Sequence, residues 1–293
     1  MSRPLKPNLS PNASPEPSST MITTCANKFV DQVEFESHVR DAIQRASNPQ
    51  VLVYTKVSSL WAEQTVDSIN QTRDGYSTRK NYNSWTQVLR ITIMPTVLHD
   101  CVQTWWRLSE IAMRDTGDLT GYEQAQIETL VGTTLEFQSG PYRCSRKEPD
   151  FFIRAKNDAL PSLVMESGWS ESWNHLMDDM NLLLVGGDGA INAVVILSWQ
   201  LNRRTRLVSG FVELYVRDRS GMPMLRQRED VLPAPPQTRT PQRLELTRRE
   251  VFGSHLLPDP MRNGHPNGMV YLEISQLRLV ATRALQRMNL LSA

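Results

Sequence analysis

The chain has 293 residues, 40% hydrophobic and 22% charged, which suits one large folded domain with appended segments and excludes a wholly disordered chain. Lys and Arg number 32 against 31 Asp and Glu, a net charge of +1, so any nucleic-acid contact has to come from a local patch and not from overall charge. No run of about 18 apolar residues occurs, so no membrane span is expected, and the first residues lack the apolar core of a signal peptide.

Three cysteines, Cys25, Cys101 and Cys144, are widely spaced and form no zinc set with the five histidines. A reducing intracellular compartment, cytoplasm or nucleus, is the expectation they support. Residues 1–24 are rich in Pro, Ser and Asn and are expected to be a disordered tail, because so few large apolar side chains cannot offset chain entropy.

Residues 25–84 read as an extension of helices and a strand. Val33, Phe35, Val39 and Ile43 fall on one face of a helix spanning residues 31–45. Val51 to Tyr54 reads as a strand, and Ser58 to Asn70 as a helix. Arg73 to Asn83 reads as a polar loop in which Arg73, Arg79 and Lys80 accompany Tyr76 and Tyr82. Such interleaving can grip a phosphate backbone and stack bases, and it equally describes a solvated loop.

Residues 85–225 form the expected core. Val88 to Ile93 is strand-like, and beyond Pro95 a helix carries Val97, Leu98, Cys101, Trp105, Leu108 and Ile111 as its stripe. His99 and Asp100 lie at its start, where one of them can face away from that stripe. Glu123 to Val131 reads as a short helix and Thr133 to Phe137 as a strand. After the Gly140-Pro141 turn, Ser145 to Glu148 leads into Pro149-Asp150, an apparent hairpin with the acid on its second strand.

The stretch from Lys147 to Trp199 is the most informative. Leu163-Val164-Met165 delivers Glu166 into a turn at Ser167-Gly168, which sets Asp150 and Glu166 near the ends of neighbouring strands. Mg²⁺ takes oxygen ligands, commonly one or two carboxylates with water or phosphate, and can polarise a phosphodiester and activate water. Asp150 and Glu166 suit that task, although a turn residue and a solvated strand end are the plainer readings. A helix follows, with Ser170 as N-cap, Trp173, Leu176, Met180, Leu183 and Leu184 inward, and Asp178 and Asp179 toward solvent unless one of them leans toward the acid pair. Gly186-Gly187 stops it, and Ile191 to Trp199, apolar on both faces, reads as a covered central strand.

Gly210 to Arg217 is a further strand. Residues 226–293 comprise a Pro-rich link around Leu232 to Pro236, a strand within Leu244 to Phe252, a loop, and a final helix from Leu272 to Asn289.

The order helix, strand, Pro-Asp strand, acid-bearing strand, helix, apolar strand resembles the core of the restriction-endonuclease-like, PD-(D/E)XK superfamily. The residues Met94-Pro95, Leu98-His99, Pro149-Asp150, Val164-Met165-Glu166, Gly168 to Ser172 and the Gly186-Gly187 turn are similar to its Uma-type endonuclease branch. The resemblance covers roughly residues 86–220. It implies an α/β fold with a central mixed sheet of four or five core strands flanked by helices, and phosphodiester hydrolysis with Mg²⁺ or Mn²⁺. It assigns Asp150 and Glu166 as metal ligands, with His99 or a lysine assisting catalysis. The family's lysine stands two residues after the second acid, where this chain has Gly168; Lys147 and Lys156 are the candidates to replace it. A fold retained as a binding module after loss of the reaction is the alternative, with protein partners unspecified.

Overall fold

The computed structural model describes residues 20–71, 77–169, 172–236, 241–254 and 268–293. The fold is α/β. Strand β1 (Thr20–Cys25) falls partly inside the expected tail, where it pairs in parallel with β2 (Gln50–Thr55). Helix α1 (Gln32–Gln44) begins where the Asp31 carboxylate accepts a 2.9 Å hydrogen bond from the Glu34 amide. It buries Phe35, Val39 and Ile43, each worth about 1.5–3 kcal/mol on full burial. Val33, expected on the same stripe, is 71% exposed because it sits off the line of those three residues.

Helix α2 (Ser59–Gln71) matches its expectation. The segment read as a polar loop contains strand β3 (Thr78–Asn83), antiparallel to β4 (Val88–Ile93). Arg73 and Tyr76 of that segment lie outside the described residues. Polar side chains misled the reading because one face of β3 is buried against charged partners and not against apolar ones.

Helix α3 (Cys101–Asp115) follows a turn that contains His99. Its inward stripe is Cys101, Val102, Trp105, Trp106, Ser109 and Met113, whereas Ile111 is 52% exposed. Of the expected stripe Leu98, Cys101 and Trp105 are buried and Leu108 packs against the core, whereas Val97, in the turn before the helix, is exposed like Ile111. Next come α4 (Gly121–Gln124), capped reciprocally by Thr120 and Glu123, and β5 (Ile127–Leu130), where one helix to Val131 was expected.

Strands β6 (Leu135–Glu136) and β7 (Arg146–Lys147) form a hairpin, but the acid is not on it. The chain leaves β7 and crosses to another sheet, where Asp150 immediately precedes β8 (Phe151–Ala155). Beyond it lie β9 (Leu163–Trp169), α5 (Trp173–Gly186), β10 (Ala193–Asn202) and β11 (Leu207–Arg217). The expected cap Ser170 lies outside the described residues. Strand β12 (Pro223–Leu232) occupies ground expected to start a link. The tail of the chain comprises β13 (Arg243–Thr247), α6 (Arg248–Phe252), β14 (Met269–Glu273), α7 (Ile274–Arg287) and β15 (Leu291–Ser292).

These elements build two large mixed sheets and a ribbon. The first runs β1-β2-β4-β3-β7-β6; the second runs β12-β11-β10-β9-β8-β5, with β15 beside β11; β13 and β14 pair alone. Helices α1 and α2 pack on one face of the first sheet, around Leu52, Tyr54, Leu89 and Ile91. In the second sheet β9 and β10 are parallel, as the α5 crossover between them requires. Helix α5 covers one face, and α3, α7 and the ribbon cover the other. Residues Ala193 to Trp199 of β10 are all buried, as expected of a central strand. No helix among the described residues is long and apolar enough to cross a membrane.

Gly210 pairs with Trp199 across β11 and β10, and a methyl group on Gly210 would run into the indole. Gly210→Ala is expected to lower unfolding free energy by about 1–3 kcal/mol in urea titrations. The control Gln200→Ala, on an exposed position of the same strand, should leave the midpoint nearly unchanged.

Candidate functional site

Strands β8 and β9 pair with Phe151 opposite Met165, so one further step along the ladder sets Asp150 opposite Glu166. Opposed residues of an antiparallel pair share a face. The two acids expected to converge therefore do so at one end of the β8–β9 pair. Asp150 is held by the Ser167 amide, which donates to Oδ2 at 2.9 Å, and by His99, whose Nδ1 lies 3.3 Å from the same oxygen. His99 owes its place to Ser167 as well. The Ser167 hydroxyl donates to the Leu98 carbonyl at 3.1 Å and accepts from Trp199 Nε1 at 3.0 Å.

The first sheet supplies the other wall. Its pairings Asn81 with Arg90 and Asn81 with Lys147 put Arg90, Asn81 and Lys147 side by side on three neighbouring strands. All three reach Asp179 of α5. Lys147 Nζ donates to its Oδ2 at 3.0 Å, Arg90 pairs with the same oxygen, and Asn81 donates to Oδ1. Lys147 Nζ also stands 2.9 Å from Glu166 Oε1. Asp179, expected to face solvent, is 2% exposed; Asp178, its neighbour, is exposed. Of the two acids on α5 it is Asp179 that leans into the site; Arg90 and Asn81 were not expected there, and Ser167 and Gly168, expected to form a turn, lie within β9.

Asp150, Glu166, His99 and Lys147 line a single cavity of about 80 Å³, together with Arg79, Trp169, His175 and Asp179. That volume holds a few water molecules or a partly hydrated ion. Lys156 is exposed beyond β8 and is not part of the lining. Three buried side-chain atoms on this lining, Arg79 Nε, Asn81 Oδ1 and Trp169 Nε1, have no hydrogen-bond partner. Buried polar atoms are rarely left so, and their concentration around one small space marks it as built for a polar occupant.

Burial pushes the Glu166 carboxyl up to about 8; the charges of Asp150 and Asp179 add to the rise and Lys147 opposes it. Burial also works against the charged form of Asp150, but His99, Lys147 and the Ser167 amide outweigh it and hold that carboxyl below its usual range. Asp179 is likewise lowered, against burial, by Arg90, Lys147 and Asn81. Lys147 is raised, because Asp179 and Glu166 overcome its burial. At neutral pH Asp150 and Asp179 are thus carboxylates, Glu166 is protonated and Lys147 is charged.

Two carboxylates are a sufficient protein contribution for Mg²⁺ or Mn²⁺, whose remaining ligands are commonly water and phosphate. Among the described residues, no group of three or more His, Cys, Asp or Glu is arranged to hold a metal ion. Compared with known proteins, the chain matches no family model, no curated protein and no solved structure.

Gly168 stands where the resemblance calls for lysine. A Cβ on Gly168 would lie 2.7 Å from Ser172 Oγ and 3.1 Å from Leu176 Cδ1, and the Ser172 hydroxyl is committed to the Trp169 carbonyl at 2.7 Å. Gly168→Lys is therefore expected to lower stability by about 1–3 kcal/mol in urea unfolding. A variant as stable as the parent would show that the α5 entry yields freely.

Proposed function

We propose that the chain is a restriction-endonuclease-like protein that hydrolyses phosphodiester bonds with Mg²⁺ or Mn²⁺ held by Asp150 and Glu166. The observation that carries this reading is the meeting of Asp150, Glu166 and Lys147 at one cavity, with the cation supplied from the neighbouring sheet. The succession Asp150 strand β8, Glu166 strand β9, α5, β10 supports it, since that part of the chain follows the order that the sequence resemblance implies, with α4 and the β6–β7 hairpin inserted ahead of it.

The residues divide the work by their chemistry. Asp150 and Glu166 would hold the ion, which when bound would polarise a phosphate oxygen and acidify water. Lys147 presents an ammonium beside Glu166, where it can orient water and stabilise charge developing on phosphate. His99 is hydrogen-bonded to Asp150 and fixes that carboxylate. Arg79, on the same lining, offers a guanidinium to a phosphate, a nucleic-acid backbone being the substrate class.

One observation favours the second reading, a binding module that has lost the reaction. Lys147 stands where it competes with a cation for Glu166, and the third acid of the cluster is bound to Arg90. The two readings part on activity. With Mg²⁺ or Mn²⁺ and generic DNA and RNA, the parent is expected to cleave. Asp150→Asn and Glu166→Gln should each lower the rate by more than about a hundredfold, the top of the range for groups that merely support a ligand. Cleavage that survives both substitutions sinks the nuclease reading, and absence of cleavage in the parent favours the binding module.

Because Glu166 titrates near 8, the ion has to displace its proton at neutral pH. Mn²⁺ affinity is expected to rise as pH increases from about 7 to 9. Calorimetry at neutral pH in buffers of different ionisation enthalpy should register proton release. Affinity that is flat over that range would remove Glu166 from the ligand set.

A further inference from the structure

We propose that the substrate is a single-stranded polynucleotide, led to the acids across a row of residues on the first sheet, Met21, Val51, Thr92 and Arg79. The inference rests on the phosphodiester reading of the site and names the form of nucleic acid that it takes.

The row is built by register. Met21 pairs with Val51 across β1 and β2, Val51 with Thr92 across β2 and β4, and Thr92 with Arg79 across β4 and β3. Paired residues share a face of a sheet. This face is turned away from α1 and α2, and all four residues line the cavity. The chemistry of the row is graded. At its outer end Met21 lies on the edge strand β1, 38% exposed, with Val51 beside it. At its inner end Arg79 Nε is buried without a hydrogen-bond partner, and Trp169 Nε1, from the second sheet, is in the same condition.

Each end narrows the occupant. The two unpaired N–H donors need acceptor oxygens, which a metal ion lacks and a phosphate has. Methionine and valine gain from covering by an apolar surface, which free phosphate lacks and a nucleoside has. A nucleotide joins the two, with its phosphate at Arg79 and the acids and its sugar and base over Val51 and Met21.

Burial decides between strand forms. Glu166 and Lys147 are buried, and the space beside them, between two sheets, holds only a few water molecules. A duplex stays stiff over about 150 base pairs, so it presents its phosphates only to an open surface. A single strand can splay its bases onto protein while its backbone enters the gap.

The experiment uses the full chain with three labelled probes: a single-stranded DNA, a single-stranded RNA of the same sequence and the blunt DNA duplex. Binding is read by fluorescence anisotropy in Ca²⁺, an oxygen-seeking ion, and cleavage is read in Mn²⁺. At least one single strand is expected to bind about tenfold more tightly than the duplex and to be the form cleaved. Met21→Glu, which sets a carboxylate beside the path of the phosphates, should weaken single-strand binding about tenfold. Met224→Glu, on an exposed position of β12, should leave it unchanged.

Duplex binding as tight as that of both single strands overturns the proposal, as does full affinity in Met21→Glu or failure to bind any probe. Duplex cleavage that depends on Asp150 and Glu166 and matches that of the single strands would keep the nuclease reading and sink this one. Selective single-strand binding with no cleavage would sink hydrolysis and keep the row.

Discussion

The Lys147–Asp179 ion pair is the contact on which the arrangement depends. Lys147 belongs to one sheet and Asp179 to the helix that covers the other. Both are buried, and a buried pair is a poor source of stability: desolvation offsets most of its attraction, while removal of one partner typically costs about 3–5 kcal/mol. Its value lies in register. Strand β7 has only two residues, too few for a ladder to fix a side chain by itself. The flanking residues complete the clamp: Arg146 pairs with Glu63, Asp67 and Glu136 on one side, and Glu148 with Lys80 on the other. The chain can then leave β7, cross between sheets and present Asp150 within three residues of the lysine.

What the sequence made legible follows from periodicity and from covalent neighbourhood. The apolar run of β10 has no polar alternation, which only a covered strand allows. The β8–β9 pairing was readable because one short apolar run follows Asp150 and another precedes Glu166, so that placing the strands also placed the two acids, although β9 runs on past Glu166 to Trp169. The features missed are those in which polar residues are buried. Strand β3 reads TRKNYN and looks like a loop, yet Asn81 and Arg90 face a carboxylate instead of water. Long-range pairing decided these cases, and no local window contains it. Asp179 is different. It lies three residues after Leu176 and four before Leu183, on the helix stripe itself, so its burial was available from spacing, whereas Asp178 falls off the stripe.

Gly168 shows why a motif can shift without the site dissolving. Its backbone lies against the entry to α5, where Ser172 and Leu176 take up the space that a side chain would fill. A lysine stem there would have to displace both side chains. A cation can still reach Glu166 from across the gap between the sheets, and Lys147 does so. The consequence is a site shared by two sheets: the acids come from the second, the ammonium from the first. Any shift of one sheet against the other changes the separation of opposite charges in a medium where such charges couple strongly. In a one-strand motif, acid and lysine would move together.

The balance of charge in the cluster gives the proton on Glu166 a role. Asp150, Glu166 and Asp179 crowd three acids around Lys147 and Arg90, with Arg79 on the same lining and His99 in contact with Asp150. Their mutual repulsion is poorly screened, because all three acids are buried. A proton relieves it, and Glu166 takes the proton: Asp150 has an amide and an imidazole, Asp179 has three donors, and Glu166 has the Lys147 ammonium alone among the described residues. Under the metal reading the same crowding of acids is what invites a cation, and the proton stands in for the ion at Glu166.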